Sequence, residues 1–192
     1  MKKIILASAS PRRKDILEKF GFPFKIKKGN IEEKIDAEEK PEQIAMSLAF
    51  EKAIEVSKSC NEGEIVIAAD TIVVKNGILG KPKNYEEAFS MLKMLQDDIH
   101  DVITGLAVIE VDTYNKFVTF EKTKVKMKQL TDDEIKRYID TGEVWDKAGS
   151  YGIQGKGSAL IEWVYGDYFN VVGLPIAKLQ SMLSKYFDLE LI

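Results

Sequence analysis

A chain of 192 residues with 45% hydrophobic content can bury a full core, and it fits one domain or two small lobes. Its 28 basic and 31 acidic residues leave a formal charge of −3, so no global basic field advertises nucleic acid binding, and any anion site must be local. The single cysteine, Cys60, excludes an internal disulfide and a cysteine-rich zinc site, and the single histidine, His100, excludes a histidine cluster.

The start, Met1-Lys2-Lys3 followed by Ile4-Ile5-Leu6-Ala7, superficially resembles a signal peptide. Its apolar run is too short for one and leads straight into Pro11-Arg12-Arg13. No stretch is long enough to span a membrane, and with one cysteine a cytoplasmic location is expected. Ile4 to Ala7 reads instead as a buried strand, rich in β-branched residues. Ser10 as N-cap and Pro11 at the first helical position then open a helix. Ile16, Leu17 and Phe20 form its apolar face, and Gly21 ends it.

Ser8–Ser10 thus links a strand end to a helix start, where backbone N–H groups and the positive helix end can hold an anion. Arg12, Arg13 and Lys14 are three cations in the first turn, where the macrodipole favours acids. Each costs on the order of a few tenths of a kcal/mol unless something negative sits opposite. One reading is an exposed basic turn. The reading adopted is that a polyanion, most simply a phosphate chain, belongs at this helix end. Removal of Arg13 is then expected to leave the fold intact or slightly more stable.

Phe22, Phe24 and Ile26 alternate with polar residues and predict a second strand. Asn30 to Gln43 is acid-rich, solvated surface for most of its length, and it contains Glu32, Glu33 and Asp36. Pro41 opens a helix with an apolar face of Ile44, Leu48, Ala49, Ala53 and Val56. Lys52 falls beside that face, either with a task of its own or snorkelling to the surface. Cys60 follows in a polar turn as a surface thiol.

Ile65 to Ala69 is the most apolar strand-like run, ending at Asp70-Thr71 before Ile72-Val73-Val74 resumes the pattern. An acid interrupting such a run needs partners, a metal or a cleft, unless it is an edge aspartate closing a turn with Thr71. Asn76-Gly77 predicts a hairpin, and Asn84 caps a helix whose buried face is Met91, Leu92 and Leu95. His100 lies in the charged stretch Asp97–Asp101, read as a solvated loop, so acid–base chemistry falls to carboxylates or lysines.

Val102–Val111 and Lys116–Met127 predict two long strands. Thr131 to Glu134 is a capping box for a helix running to about Asp140. A glycine-rich segment, Ala148 to Gly157, leads into a strand over Ser158–Val164. Pro175 opens a final helix through Leu183. Strands that meet by hairpins among interleaved helices predict a mixed α/β sheet with flanking helices, with no clear linker along the chain. Neither a P-loop nor a properly placed dinucleotide fingerprint is present.

Five ordered stretches together resemble the Maf family of nucleoside triphosphate pyrophosphatases, once described as septum-formation inhibitors. They are Ser8-Ala9-Ser10-Pro11-Arg12-Arg13, Ala69-Asp70-Thr71, Gly80-Lys81-Pro82, Asp146 to Gly155, and Gly166 to Pro175. The resemblance covers nearly the whole chain. It implies an elongated α/β fold similar to that of inosine triphosphate pyrophosphatases, with two lobes around a central cleft. It also implies hydrolysis of a nucleoside triphosphate to monophosphate and pyrophosphate, with a divalent cation (Mg²⁺ or Mn²⁺), and a homodimer.

By the same resemblance Ser8, Ser10 and Arg13 match a phosphate-binding turn, and Lys52 and Lys81 match further phosphate contacts. Asp70 matches the proton acceptor, and Glu33 matches the acid that shares the metal with it. Tyr151-Gly152-Ile153-Gln154-Gly155 resembles the wording of a branch acting on dTTP and UTP, in which Arg12, Thr71 and Gln154 match substrate-selecting positions. Read without the resemblance, Gln154 could simply brace its own loop. Glu32 stands where an aspartate is more usual, and Val144-Trp145 replaces a proline-containing pair. The rival expectation is a nucleotide-binding regulator of cell division that does no hydrolysis.

Overall fold

The computed structural model describes residues 2–21, 23–31 and 39–192. Glu33, with Phe22, Glu32 and Asp36, lies outside the described residues. The elements in chain order are β1 (Ile4–Ala7), α1 (Pro11–Lys19), β2 (Phe24–Lys27), α2 (Pro41–Ser57), β3 (Ile65–Val74), β4 (Ile78–Leu79) and α3 (Tyr85–Leu95). There follow β5 (Ile99–Glu110), β6 (Lys116–Met127), α4 (Asp132–Ile139), β7 (Ile161–Tyr165), α5 (Tyr168–Val172) and α6 (Ile176–Phe187). Among the described residues seven strands form one mixed sheet in the order β2-β1-β3-β5-β6-β7, with β4 paired to β3. The predicted mixed α/β architecture is the observed one.

The chain divides into two compact units. Unit 1 contains Met1–Asp70, Thr104–Glu121 and Gly173–Ile192; unit 2 contains Thr71–Ile103 and Lys122–Val172. In unit 1, β1 lies between β2 and β3 and runs parallel to both, with Leu6 opposite Ile26 on one side and Ile67 on the other. All four β1 residues are buried, as a strand covered on both faces requires. The small residues Ala49 and Ala53 of α2 pack with Ile5, Val66, Ala68 and Ala107. That approach is close: a Cβ on Gly105 of β5 would lie 2.0 Å from the Ala45 carbonyl oxygen.

In unit 2, α3 and α4 pack through Leu92, Leu95, Ile135 and Ile139 onto Val73, Val102 and Val125. Asn84 accepts a hydrogen bond from the Glu87 N–H, and Thr131 and Glu134 complete the predicted capping box. Five expectations change. β3 runs unbroken through Asp70 and Thr71, so Asp70 closes no turn. The predicted strand over Ser158–Val164 is half 3₁₀ turn, Gly155–Leu160, and only then β7. The last helix continues past Leu183 to Phe187.

The fourth change concerns His100. It belongs to β5 and is 3% exposed, because the charges around it pair away from it: Asp98 with Lys75, and Asp101 with Lys122. Cys60 is likewise half-buried rather than a surface thiol. Its Sγ donates to the Val56 carbonyl at 3.2 Å and accepts from the Lys27 ammonium at 3.5 Å.

Candidate active site

The chain leaves β1 for β2 on one side, then returns through α2 to β3 on the other side of β1. Such a reversal of strand order opens space at the carboxyl ends of parallel strands, where open α/β sheets bind ligands. The residues at that end are Ser8 after β1 and Asp70 within β3; the Leu6–Ile67 register brings the Ser8 turn alongside Ala69 and Asp70.

Ser8 is buried, and its Oγ accepts from the Ser10 N–H at 3.1 Å and from the Arg13 guanidinium at 3.3 Å. Ser10 occupies the predicted N-cap position, but its own side chain caps nothing, and the first turn of α1 holds no acid. Arg13 Nε donates to the Gly173 carbonyl oxygen at 2.7 Å. Arg13 is therefore built into unit 1, which runs against the expectation that its removal leaves the fold intact or slightly more stable. Arg12 is half-buried in the same turn.

Asp70 is 8% exposed, and its carboxylate pairs with the ammonium of Lys52 from α2. Burying a carboxylate carries a desolvation cost that only a close, hydrogen-bonded cation offsets. Lys52 is half-buried and anchored there, so it is no snorkelling surface lysine. Unit 1 thus brings together Ser8, Ser10, Arg13, Lys52 and Asp70. Glu33 lies outside the described residues.

Unit 2 carries the others. Thr71 is half-buried on β3, and Lys81 is exposed after β4 with no hydrogen bond or ion pair to another described residue. The Gly80 carbonyl oxygen accepts from the Gly149 N–H at 3.0 Å, which ties the Lys81 segment to the glycine-rich loop. On that loop Gln154 is half-buried, and its amide makes no hydrogen bond to another described residue. The side chain therefore does not brace its own loop.

Two loop supports were not foreseen. His100 Nε2 lies 2.6 Å from the Tyr151 hydroxyl, both buried, with ring centroids 5.2 Å apart edge to face. Burial pushes the His100 pKa down to about 4, with the Lys75 charge acting in the same direction, and burial raises the Tyr151 phenol. The Glu143 carboxylate accepts from the backbone of Lys156 and Gly157. Neither support has a local signal, because the partners stand 51 and 13 or 14 residues apart.

A divalent cation fits the donor set. Among the described residues no group of three or more acids, cysteines or histidines gathers, so a site made wholly of their side chains is absent. A cation shared with substrate phosphates needs only one or two carboxylates, and the buried carboxylate beside the Ser8 turn is that of Asp70. No helix among the described residues is long and apolar enough to cross a membrane.

Residues 3–186 match the family model described as Maf-like protein. A dTTP/UTP pyrophosphatase of Caldanaerobacter subterraneus is 53% identical over 98% of this chain and 91% of its own. One from Alkaliphilus oremlandii is 53% identical over the whole of both chains, and one from Clostridioides difficile is 49% identical over 98% and 97%. Among solved structures, a HAM1 protein from Coxiella burnetii superposes with a TM-score of 0.54 at 16% identity, covering 84% of this chain and 81% of that one. That likeness is one of fold.

Proposed function

The chain belongs to the Maf family, and from that premise we propose that it hydrolyses dTTP and UTP to the nucleoside monophosphate and pyrophosphate. The observation that carries this reading is the buried Asp70–Lys52 pair midway along β3, level with the Ser8–Arg13 turn. A carboxylate with one cation already in place, beside a basic helix start, suits a substrate that brings its own negative charge. A module that only bound nucleotide would have no use for the buried acid.

In this reading Ser8, Ser10, Arg13, Lys52 and Lys81 hold the phosphate chain, and Asp70 takes the proton of the attacking water. Lys52 and Arg13 then stabilise the charge that develops on the departing pyrophosphate. Asp70 with Glu33 would hold the divalent cation, which we take to be Mg²⁺, with Mn²⁺ as a substitute. When bound, it neutralises phosphate charge and makes a nearby water more acidic. Arg12, Thr71 and Gln154 select the base: an amide held with its oxygen facing N3–H and its nitrogen facing the neighbouring carbonyl matches the edge of uracil and thymine, whereas cytosine presents its donor and acceptor in the reverse order. A cytoplasmic homodimer completes the proposal.

The test is a panel of nucleoside triphosphates incubated with protein and Mg²⁺, with inorganic pyrophosphate as the readout. UTP and dTTP should be cleaved well and CTP, ATP and GTP poorly. Preference for a purine would remove the base-selecting role of Gln154, and the absence of any turnover would favour the regulator.

A further inference from the structure

We propose that Glu143 is a positioning residue for base selection: its carboxylate clamps the turn that follows Gln154 and so fixes the backbone position from which the Gln154 amide reaches the base. The inference rests on the reading that Gln154 meets the base.

Glu143 stands in the turn after α4, and its main chain is held at both ends. Its N–H donates to Thr141 Oγ1 at 3.3 Å, and its carbonyl oxygen accepts from the Lys147 ammonium. From this fixed point the carboxylate reaches across to the glycine-rich loop. Oε1 accepts from the Lys156 N–H at 3.1 Å and Oε2 from the Gly157 N–H at 3.3 Å. These amides open the 3₁₀ turn Gly155–Leu160, where no carbonyl within the turn can pair with them. A charged acceptor makes such bonds stronger than a neutral one would.

The loop is shaped for this contact. Gly155 has φ +67°, and a Cβ there would come within 3.0 and 3.1 Å of the two carboxylate oxygens. Backbone conformation and the approach of Glu143 both call for glycine at that position. On the other side of Gln154, Ile153 is buried, the Gly152 N–H donates to the Tyr138 hydroxyl at 3.2 Å, and Tyr151 meets His100. Gln154 itself has extended backbone (φ −99°, ψ 165°) and sits between these two holds. Its side chain makes no hydrogen bond to another described residue, so the point from which it reaches a ligand is set by its backbone, and Glu143 holds the segment that follows.

The experiment measures kcat/KM for UTP and for CTP in wild type, Glu143→Gln, Glu143→Ala, Gln154→Ala and the double variant Glu143→Ala/Gln154→Ala. The UTP-to-CTP ratio should fall roughly tenfold in Glu143→Ala, the loss expected when a bond to a charged group is removed. It should fall less in Glu143→Gln, which keeps one acceptor oxygen. In the double variant the ratio should equal that of Gln154→Ala alone, because the clamp then has nothing to aim. If Glu143→Ala does not fold, Glu143→Gln alone and combined with Gln154→Ala carries the same comparison.

A merely structural residue would lower both substrates together. An unchanged ratio in both Glu143 variants overturns the proposal, as does an equal fall with and without Gln154. If Gln154→Ala keeps the wild-type ratio, the base reading has failed and takes the proposal with it. If Gln154→Ala narrows the ratio and the Glu143 variants do not, only the proposal falls.

Discussion

Arg13 shows how one side chain can serve two purposes. Its Nε–H···O bond to Gly173 joins α1 to the segment that leads into α6, so Arg13→Ala should lower stability by about 1 kcal/mol rather than raise it. If the guanidinium also holds phosphate, turnover should drop far more than that loss explains. A chemical melt beside UTP kinetics separates the two, and unchanged kinetics would remove Arg13 from the site. Asp70→Asn is the cleaner probe of chemistry, since it keeps shape but removes a proton acceptor. Hydrolysis should fall by about 10²–10⁴, while nucleotide binding in EDTA changes far less. Near-normal turnover would shift the base role to Glu33. Asp70 and Lys52 could be singled out in the sequence because an acid in an apolar run and a lysine beside an apolar face are each anomalous. That they pair with each other could not be read there, because 18 residues and a helix-to-strand contact separate them.

At the scale of elements, the glycine-rich loop is held from behind by β5, and His100 is the titratable part of that support. With the folded pKa lowered to about 4 from an ordinary 6.5, the unfolded chain takes up a proton first as pH falls. The buried neutral imidazole therefore contributes fully above about pH 6.5, and its contribution is lost as pH falls towards 4. The loss amounts to about 3 kcal/mol at its low-pH limit. Asp98 and Asp101, each held by its own lysine, oppose the shift. Urea unfolding followed by Trp145 and Trp163 fluorescence should show this pH slope in wild type and lose it in His100→Gln. An identical slope in both would place the acid sensitivity elsewhere. Elements with strong local signals, such as the Thr131 capping box and the Asn84 cap, were legible in the sequence. The false strand over Ser158–Leu160 was not distinguishable: its apolar content suits a strand, but the backbone of Gly155–Gly157 is committed to Glu143 and to the packing of Gly157 against Gly152.

At the scale of the whole molecule, the mixed sheet follows from two kinds of connection that the sequence spaces plainly. Helical crossovers link β1, β2 and β3, and short turns link β3 to β4 and β5 to β6. The strand order did not follow, because it rests on contacts between residues distant in sequence, such as the close approach of α2 to β5 through Ala45 and Gly105, which no local pattern announces. That order puts the Ser8 turn beside Asp70, and the claim that this is a pyrophosphatase site specifies which phosphoanhydride bond breaks. Phosphorus NMR of wild-type protein with UTP and Mg²⁺ reads the products directly. The prediction is UMP and inorganic pyrophosphate in equal amounts, with no UDP at any time; accumulation of UDP and orthophosphate would contradict it.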